Sequence, residues 1–545
     1  MSTATARPLG LDDAVRTVLG EGARLREAQT DALAGLAEAD TLLVARSGAG
    51  KTAVYAVATL MSDRLTVVVS PLLALQRDQL DSLRGSGLRA AAVSSAVTPK
   101  RQREALADAV EGRLDVLLLA PEQLVRPAVA DELARARVGL VVVDEAHCVS
   151  EWGHDFRPDY LHVGSAVERL GGPRVLAVTA TASAQVREEV VDRLRLRSPR
   201  VLVHDADRPN IWLGARASAS DAERDAAVVE AAVATDGAGI VYARTHRHVE
   251  ELAAALAEAG RPALVYHAGL AGKARAEAQD QFLRGDADLV VATSAFGMGV
   301  DRPDVRFVLH SGPPTSLDAY YQEVGRAGRD EEPALAVLFY RPDDFGLNHY
   351  LRSGGGSRPE TLRAVLSAVR DRPGTREELA ERTGVAPRSL SRALGALVRA
   401  GAVEEHDGVL HPEEREGRQR AVNRVLADIA AEREHAQAMD RSRVELVRTY
   451  ADTGDCRRRL LLELLGEVHP ERCGACDSCD AGTSVDVDDA PLHAGEQVEH
   501  TRWGPGTVSV VEADKVTVLF EERGYVTLDT AIALDGGLLT PVGEA

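Results

Sequence analysis

Five short apolar runs between about residues 25 and 200, TLLVAR, LTVVVSP, DVLLLAP, GLVVVDE and RVLAVTA, alternate with stretches of helical periodicity. From about 235 to 340 the pattern returns as GIVYAR, PALVYH, DLVVAT, VRFVLH and LAVLFY. A strand that is apolar at nearly every position has no face to give to water, so both faces of its sheet must be covered. Helices between successive strands supply the crossovers that parallel strands require. Two such series in tandem predict an α/β chain with two parallel-sheet domains, residues 1–205 and 206–345, and a cleft between them.

After Tyr340 the strand pattern stops, and SGGGSRPE (353–360) reads as a linker. Residues 357–415 predict a winged helix: TLRAVLSAVRD, TREELAERTG and PRSLSRALGALVRAG supply the helices, and EEHDGVLH (404–411) the wing. Arg388, Arg392 and Arg399 lie along the presumed recognition helix, placed to contact phosphate or base edges, with a structural spacer as the alternative reading. A helical stretch with a cysteine cluster follows (416–482), then a second, acidic linker, DAGTSVDVDDAP (480–491). The runs QVEH, TVSVVE, KVTVLFE and YVTLD predict a small β-barrel over 492–545.

The formal charge of −20 argues against indiscriminate coating of nucleic acid and leaves a shaped, locally basic channel open. Arg outnumbers Lys 60 to 4, so Arg clusters carry little weight and each Lys carries more. No run of about 18 apolar residues is present. The start MSTATARPLGLDDAV lacks the basic patch and apolar stretch of a secretory signal, so a cytoplasmic protein is expected.

ARSGAGKT (45–52) fits the phosphate loop G-x-x-x-x-G-K-[ST], with Ala45 at the first glycine position. Gly48 and Gly50, in one turn with Ser47 and Ala49, let backbone N–H groups face a polyphosphate, and the following helix adds positive potential. Lys51 brings a point charge to the β/γ-phosphates and Thr52 a hydroxyl for Mg²⁺. The run LVVVDEAH (140–147) then ends a buried strand in two carboxylates. Asp144 would hold Mg²⁺ through water, since that ion keeps part of its hydration shell. Glu145 would orient or deprotonate the attacking water, with His147 beside it. In the second series QEVGRAGRD (322–330) offers Gln322 to the nucleotide. Its Arg326 and Arg329, three residues apart on one helix face, would cross the cleft as arginine fingers.

Over roughly 20–345 and 420–480 the chain resembles the RecQ family of superfamily-2 DNA helicases. The matching segments include SPLLALQRDQL, APEQL, DEAHCVSEWGHDFRPDY, VTATA, DRPN, YHAGL, ATSAFGMGVDRPDVRFVLH and YYQEVGRAGRD. Many helicases share DEAH and TATA; AHCVSEWGHDFRP and AFGMGVDRP are the family-level segments. The resemblance implies RecA-like domains and a 3′→5′ DNA translocase that unwinds duplexes in repair and recombination, with ATP and Mg²⁺ as cofactors. By matched position, Arg26 and Gln29 would read the adenine. Trp152, Phe156 and Arg157 fall in the aromatic-rich loop that links single-strand binding to hydrolysis, where each stacked base contributes about 1–3 kcal/mol. Core packing is the alternative for the two rings. Gly22 stands where family members carry an adenine-stacking aromatic, so weak stacking is expected.

Cys456, Cys473, Cys476 and Cys479, four of five cysteines, follow C-x16-C-x2-C-x2-C. Four clustered thiolates make a closed tetrahedral site of the structural-zinc kind, with an iron–sulfur cluster as rival. The context CRRRLLLELLGE resembles the RecQ zinc subdomain and implies Zn²⁺. Cys148 is expected to be a small buried residue. In typical RecQ proteins the winged helix follows the zinc subdomain; here it precedes it. The tail resembles the Tudor-like barrel ending UvrD/PcrA-type helicases, and its acidity suggests a protein partner, RNA polymerase or a repair protein. Trp503 is then either an exposed anchor or a core residue. The other expected partners are single-stranded and forked DNA, engaged by a monomer at the nucleoid, with no membrane. Two rivals stand beside this reading. An RNA-directed DExH ATPase would lack the aromatic-rich loop and the cysteines. A DNA-binding adaptor with a vestigial ATPase would not keep Lys51, Asp144, Glu145, Arg326 and Arg329 intact.

Overall fold

The computed structural model describes residues 8–46, 48–71, 73–94, 97–150, 157–204, 206–297, 300–346, 357–406, 408–413, 420–467, 469, 471–487 and 489–542. Seven parallel strands form the first sheet: β1 (Thr41–Val44), β2 (Leu65–Val69), β3 (Ala90–Val93), β4 (Val116–Leu119), β5 (Val138–Val143), β6 (Arg174–Thr179) and β7 (Arg200–Val203), in the order 3-4-2-5-6-1-7. Alternate residues enter opposite layers, as the two-residue strand period requires. Val67, Leu117 and Val141 pack into one cluster, and their neighbours Val68, Leu118 and Val142 into the other. The second sheet joins β8 (Ile211–Ala217), β9 (Ala238–Ala243), β10 (Leu264–Tyr266), β11 (Leu289–Ala292), β12 (Val305–Ser311) and β13 (Ala334–Tyr340), all parallel, in the order 10-11-9-12-13-8. Two parallel-sheet domains are thus present in tandem. Three strands escaped the apolar-run criterion: β3, β7 and β8, each at a sheet edge. AAAV has little bulk, RVLV is largely exposed, and IWLGARA mixes small and charged residues.

The segment from Pro359 does not continue the Gly-rich linker: Pro359 opens a helix, where its missing N–H costs nothing. Helices Pro359–Asp371, Arg376–Thr383 and Pro387–Arg399 pack with the hairpin β14 (Val403–His406) and β15 (Val409–Pro412) around Val365, Leu379, Leu394 and Leu410. A helix of 31 residues, Val422–Asp452, runs on from this unit. Its Val425 and Ile429 belong to the winged-helix core. Its Val444, Val447 and Tyr450 belong to the core of the second sheet.

The tail is an antiparallel sheet of β16 (Gln497–His500), β17 (Gly504–Val511), β18 (Lys515–Phe520), β19 (Gly524–Asp529) and β20 (Leu539–Pro541), in the order 19-18-17-16-20. Trp503 stacks on His500 with ring centroids 3.9 Å apart and meets Phe520 edge-on, which is a packing role. The acidic stretch before the tail is no loose tether. Ser484 and Val487 are buried, and Arg459 donates to the Val485 carbonyl at 2.7 Å. Glu463, on helix Arg457–Leu464, accepts the Val511 N–H at 2.8 Å, and Asp455 accepts that of Ala513 at 3.1 Å.

Burial is the main cause that pushes the Glu463 carboxyl up to about 8, with Asp455 and Glu512 adding to it and the Val511 N–H and Arg459 opposing. A carboxyl raised on docking favours the docked state at low pH and weakens it as pH climbs toward about 8. Thermal stability of the C-terminal sheet is therefore expected to fall between pH 5 and 8, and Glu463→Gln to flatten that slope. Equal slopes in the two proteins refute the linkage.

Candidate active site and metal centre

The functional loops of the first sheet leave from strand carboxyl ends, where parallel sheets place their ligands. The phosphate loop follows β1, Pro71 lies just past β2, and Asp144 and Glu145 follow β5. Gly48 (φ 82°) and Gly50 (φ 74°) adopt the left-handed backbone that side chains resist, and Lys51 starts the helix Lys51–Leu60. The Gln29 amide Nε2 donates to the carbonyls of Ala49 and Gly50 at 3.2 and 3.1 Å, while its Oε1 accepts the Arg26 N–H at 2.9 Å. A Cβ on Gly50 would stand 2.4 Å from that amide nitrogen, a second reason for glycine there. Arg26 donates to the Gly48 carbonyl at 2.7 Å. Both residues expected to read adenine thus also brace the loop. Gly22 (φ 78°) sits in a turn.

Lys51 Nζ donates to the Ala45 carbonyl at 2.9 Å. Burial pushes its ammonium down, and burial pushes the Asp144 carboxyl up. A polyphosphate with its divalent cation brings the counter-charges that favour both charged forms. Thr52 is the second residue of the Lys51–Leu60 helix, next to Lys51. Glu145 holds φ 48°, rare for a residue with a side chain and typical of strain kept at working sites. His147 Nδ1 lies 3.4 Å from the Glu145 carboxylate and 2.9 Å from Thr179 Oγ1, so it ties the acid to the end of β6. Cys148 is buried as expected.

Arg326 and Arg329 do not share a helix face. The helix Leu317–Val324 ends before them, and residues 325–330 form a turn in which Gly328 adopts φ 55°. That turn is held by two residues of the DRPN segment (207–210). Arg208 donates to the carbonyls of Gly325, Ala327 and Gly328 at 3.0, 2.6 and 2.7 Å, and Asn210 to those of Gly328 and Glu332. Burial pushes the Arg208 guanidinium down to about 10. The turn lays Arg329 against the phosphate loop: its Cδ is 3.7 Å from where a Cβ on Gly48 would stand. Arg46 and Glu331 pair across the same cleft at 3.2 Å. Arg326 is buried beside Gly297, and the Gln322 Nε2 is buried with no hydrogen-bond partner among the described residues.

Of the expected nucleic-acid residues, Arg157 donates to the Pro71 carbonyl at 2.7 Å. Arg388 and Arg392 are exposed on helix Pro387–Arg399, and Arg399 pairs with Glu432 at 3.8 Å. Trp152, Phe156 and Ser47 lie outside the described residues.

The Sγ atoms of Cys456, Cys473, Cys476 and Cys479 all lie within 4.8 Å of one another, and those of Cys473 and Cys479 are 3.9 Å apart. A tetrahedron of thiolates about 2.3 Å from a zinc ion has edges of about 3.8 Å, so the donor set fits zinc. N–H groups of Cys473 and Ala475 point to the sulfurs of Cys456 and Cys473. The centre is bonded into the second sheet. Leu213 of β8 bridges Cys476 and donates to the Ala475 carbonyl, Ala215 donates to Asp477, and Trp212 donates to Asp480. This covers an edge strand that would otherwise offer unpaired backbone groups.

Family profiles match in the same order: DEAD/DEAH box helicase over 26–190, helicase conserved C-terminal domain over 224–331, RecQ zinc-binding over 418–480, and a protein of unknown function over 492–535. The probable ATP-dependent DNA helicase RecS of Bacillus subtilis is 38% identical over 313 residues, 57% of this chain and 63% of that protein. The ATP-dependent DNA helicase RecQ of Pasteurella multocida is 36% identical over 332 residues, 61% of this chain and 52% of that one. The chain therefore spans between about half and two thirds of the length of these relatives. Among solved structures, Mycobacterium smegmatis helicase Lhr bound to ssDNA and AMP-PNP gives a TM-score of 0.51 at 20% identity, over 80% of this chain and 63% of that one. Helicase MrfA bound to DNA gives 0.52 at 19% identity, over 75% and 60%. At such identities the likeness is one of fold. A two-sheet helicase core alone leaves many families open; the RecQ zinc-binding profile over the four-cysteine centre and the RecS and RecQ relatives place this chain in the RecQ family.

Proposed function

We propose that this chain uses ATP hydrolysis to move along single-stranded DNA and separate the duplex ahead, in the 3′→5′ sense of the family, during repair or recombination. The observation that carries the reading is Arg329 lying against Gly48 across the inter-domain cleft. A nucleotide seated there is gripped from both sides, so its hydrolysis and release change how the two sheets hold one another. When bound, Mg²⁺ neutralises charge on the β- and γ-phosphates. Asp144 and Thr52 are placed to hold it, and Lys51 with the loop N–H groups to hold the phosphates. Arg26, Gln29 and Gln322 orient the nucleotide. Glu145 takes the proton of the attacking water, with His147 fixing its carboxylate. Arg326 and Arg329 meet the charge that develops on the transferring phosphoryl group.

Single-stranded DNA is engaged by Arg157 with Trp152 and Phe156, and the duplex end of a fork by Arg388 and Arg392. The proposed form is a monomer working in the cytoplasm at the nucleoid; among the described residues no helix is long and apolar enough to cross a membrane. The barrel surface left free of the zinc region is proposed to dock a protein partner, RNA polymerase or a repair protein. The names of the RecS and RecQ relatives favour DNA over RNA as the track.

Strand displacement on tailed DNA and matched RNA duplexes, with and without ATP, tests the reading. DNA duplexes with a 3′ tail are expected to open only with ATP. Glu145→Gln should bind nucleotide yet turn over about 10²-fold or more slowly, the usual loss of a positioned base. Preferential opening of RNA would hand the site to the RNA-directed reading. Absence of both hydrolysis and displacement would leave a DNA-binding adaptor.

A further inference from the structure

Gln79 lies on the helix Leu73–Gly85, which follows β2 and is separated from the catalytic acids by 65 residues of sequence. Its Nε2 nevertheless donates to Asp144 Oδ2 at 2.7 Å, while Asp144 Oδ1 accepts the Glu145 N–H at 3.0 Å. Both partners are interior, each with 6% of its surface exposed. A carboxylate only accepts, so the amide must turn its NH₂ end toward Asp144. That leaves Gln79 Oε1 buried with no protein partner among the described residues, a free acceptor beside the metal-holding acid.

The segment leading to Gln79 is held as well. Gln76 donates to the Ser70 carbonyl at 2.8 Å, and Arg157 reaches in to donate to the Pro71 carbonyl at 2.7 Å. Arg157 is itself bonded through its N–H to the Cys148 carbonyl, so it belongs to the chain that leaves the catalytic acids. One short segment thus touches an arginine of the DNA-sensing loop at its start and the Mg²⁺ acid at its end.

The geometry points to Gln79 as a positioning residue that fixes the Asp144 carboxylate for Mg²⁺ and ties that hold to Arg157 through the Pro71–Gln79 segment. The inference rests on the ATPase reading given above. In a dry site a carboxylate with one strong donor keeps one orientation. Without the amide the Glu145 N–H still holds Oδ1, but Oδ2 is free to turn toward Lys51, whose charge already acts on the carboxyl, and the Mg²⁺ site loses its set orientation. The unpaired Oε1 suits a water of the Mg²⁺ shell, because that ion keeps several of its waters.

The test uses the full chain and a mant-labelled, non-hydrolysable ATP analogue, with affinity followed as Mg²⁺ is titrated, with and without an oligo-dT strand. Gln79→Leu keeps the volume and removes the amide, and Gln79→Met serves if the first variant melts early. Loss of one hydrogen bond to a charged group predicts about a tenfold or larger rise in the Mg²⁺ concentration at half-effect. Affinity without Mg²⁺ should not change. In turnover assays kcat should fall, with KM at saturating Mg²⁺ within about twofold of wild type. Oligo-dT should lower the Mg²⁺ requirement of wild type and leave that of the variants where it is. Added to Asp144→Ala, the Gln79 change should have no further effect. An unmoved Mg²⁺ half-point in both variants, whether or not melting changes, overturns the inference and leaves Gln79 a packing residue. A wild-type chain whose nucleotide affinity ignores Mg²⁺ overturns the ATPase reading, and this inference with it.

Discussion

Replacing Arg329 with alanine is expected to lower ATP turnover by about 10³-fold or more while nucleotide still binds, the loss that follows removal of a transition-state guanidinium. The side chain sits within van der Waals reach of the phosphate loop on the other domain. Its Nη1 is held by Asp301 at 2.5 Å, but Asp301 is 80% exposed, so this pair is screened by water and easily surrendered to a phosphate. Burial pushes the Arg329 guanidinium down, and Arg326 close by adds to the effect. Two cations crowded into a dry turn favour an anion between them and the loop. Arg329→Lys restores charge without the fork, so it should recover only part of the rate. Single-turnover hydrolysis beside equilibrium nucleotide binding separates the two effects. An Arg329→Ala protein that hydrolyses ATP at the wild-type rate would remove this residue from the catalytic set.

The second large effect concerns metal. Cys473→Ser should take the chain from about one zinc to none and unfold the region around 440–480, since structural zinc and local folding share one free energy of about 10–16 kcal/mol in small zinc modules. The damage should spread in two directions. Cys476 is bridged to Leu213, so the edge of the second sheet loses its cover. Cys456 is the N-cap of the helix that carries Glu463, so the C-terminal sheet loses its seat as well. Metal analysis and hydrogen exchange read both outcomes. Full zinc with unchanged exchange in the variant would sink the assignment, and absorbance near 400 nm in wild type would identify an iron–sulfur cluster instead.

What could be read from the chain alone was what is local along it. The central strands are legible because they are apolar on both faces, and the phosphate loop, the two acids and the four cysteines because each chemistry sits in a few consecutive residues. Contacts that close over long separations were not legible. Gln79 meets Asp144 and Arg208 meets the turn around Gly328 only after the sheets have formed. The helix expected through Arg326 and Arg329 fails for a reason visible only in the fold: Arg208 and Asn210 hold carbonyls of the turn that a helix would need for its own ladder. Acidity likewise suggested a free tether at 480–491, whereas Arg459 and Arg472 bind that stretch to the zinc region.

The helix Val422–Asp452 has a mechanical consequence. At 1.5 Å per residue its 31 residues span about 46 Å. One end is rooted in the core of the second sheet and the other in the winged helix, while residues 430–434 between them are exposed. A stiff rod clamped at both ends converts rotation at one into arc at the other. A turn of about 10° in the second sheet domain would sweep the far end through about 8 Å, more than two nucleotide steps of about 3.4 Å each. A winged helix placed before the zinc centre is thus carried on the long arm of a lever whose short arm lies in the second sheet.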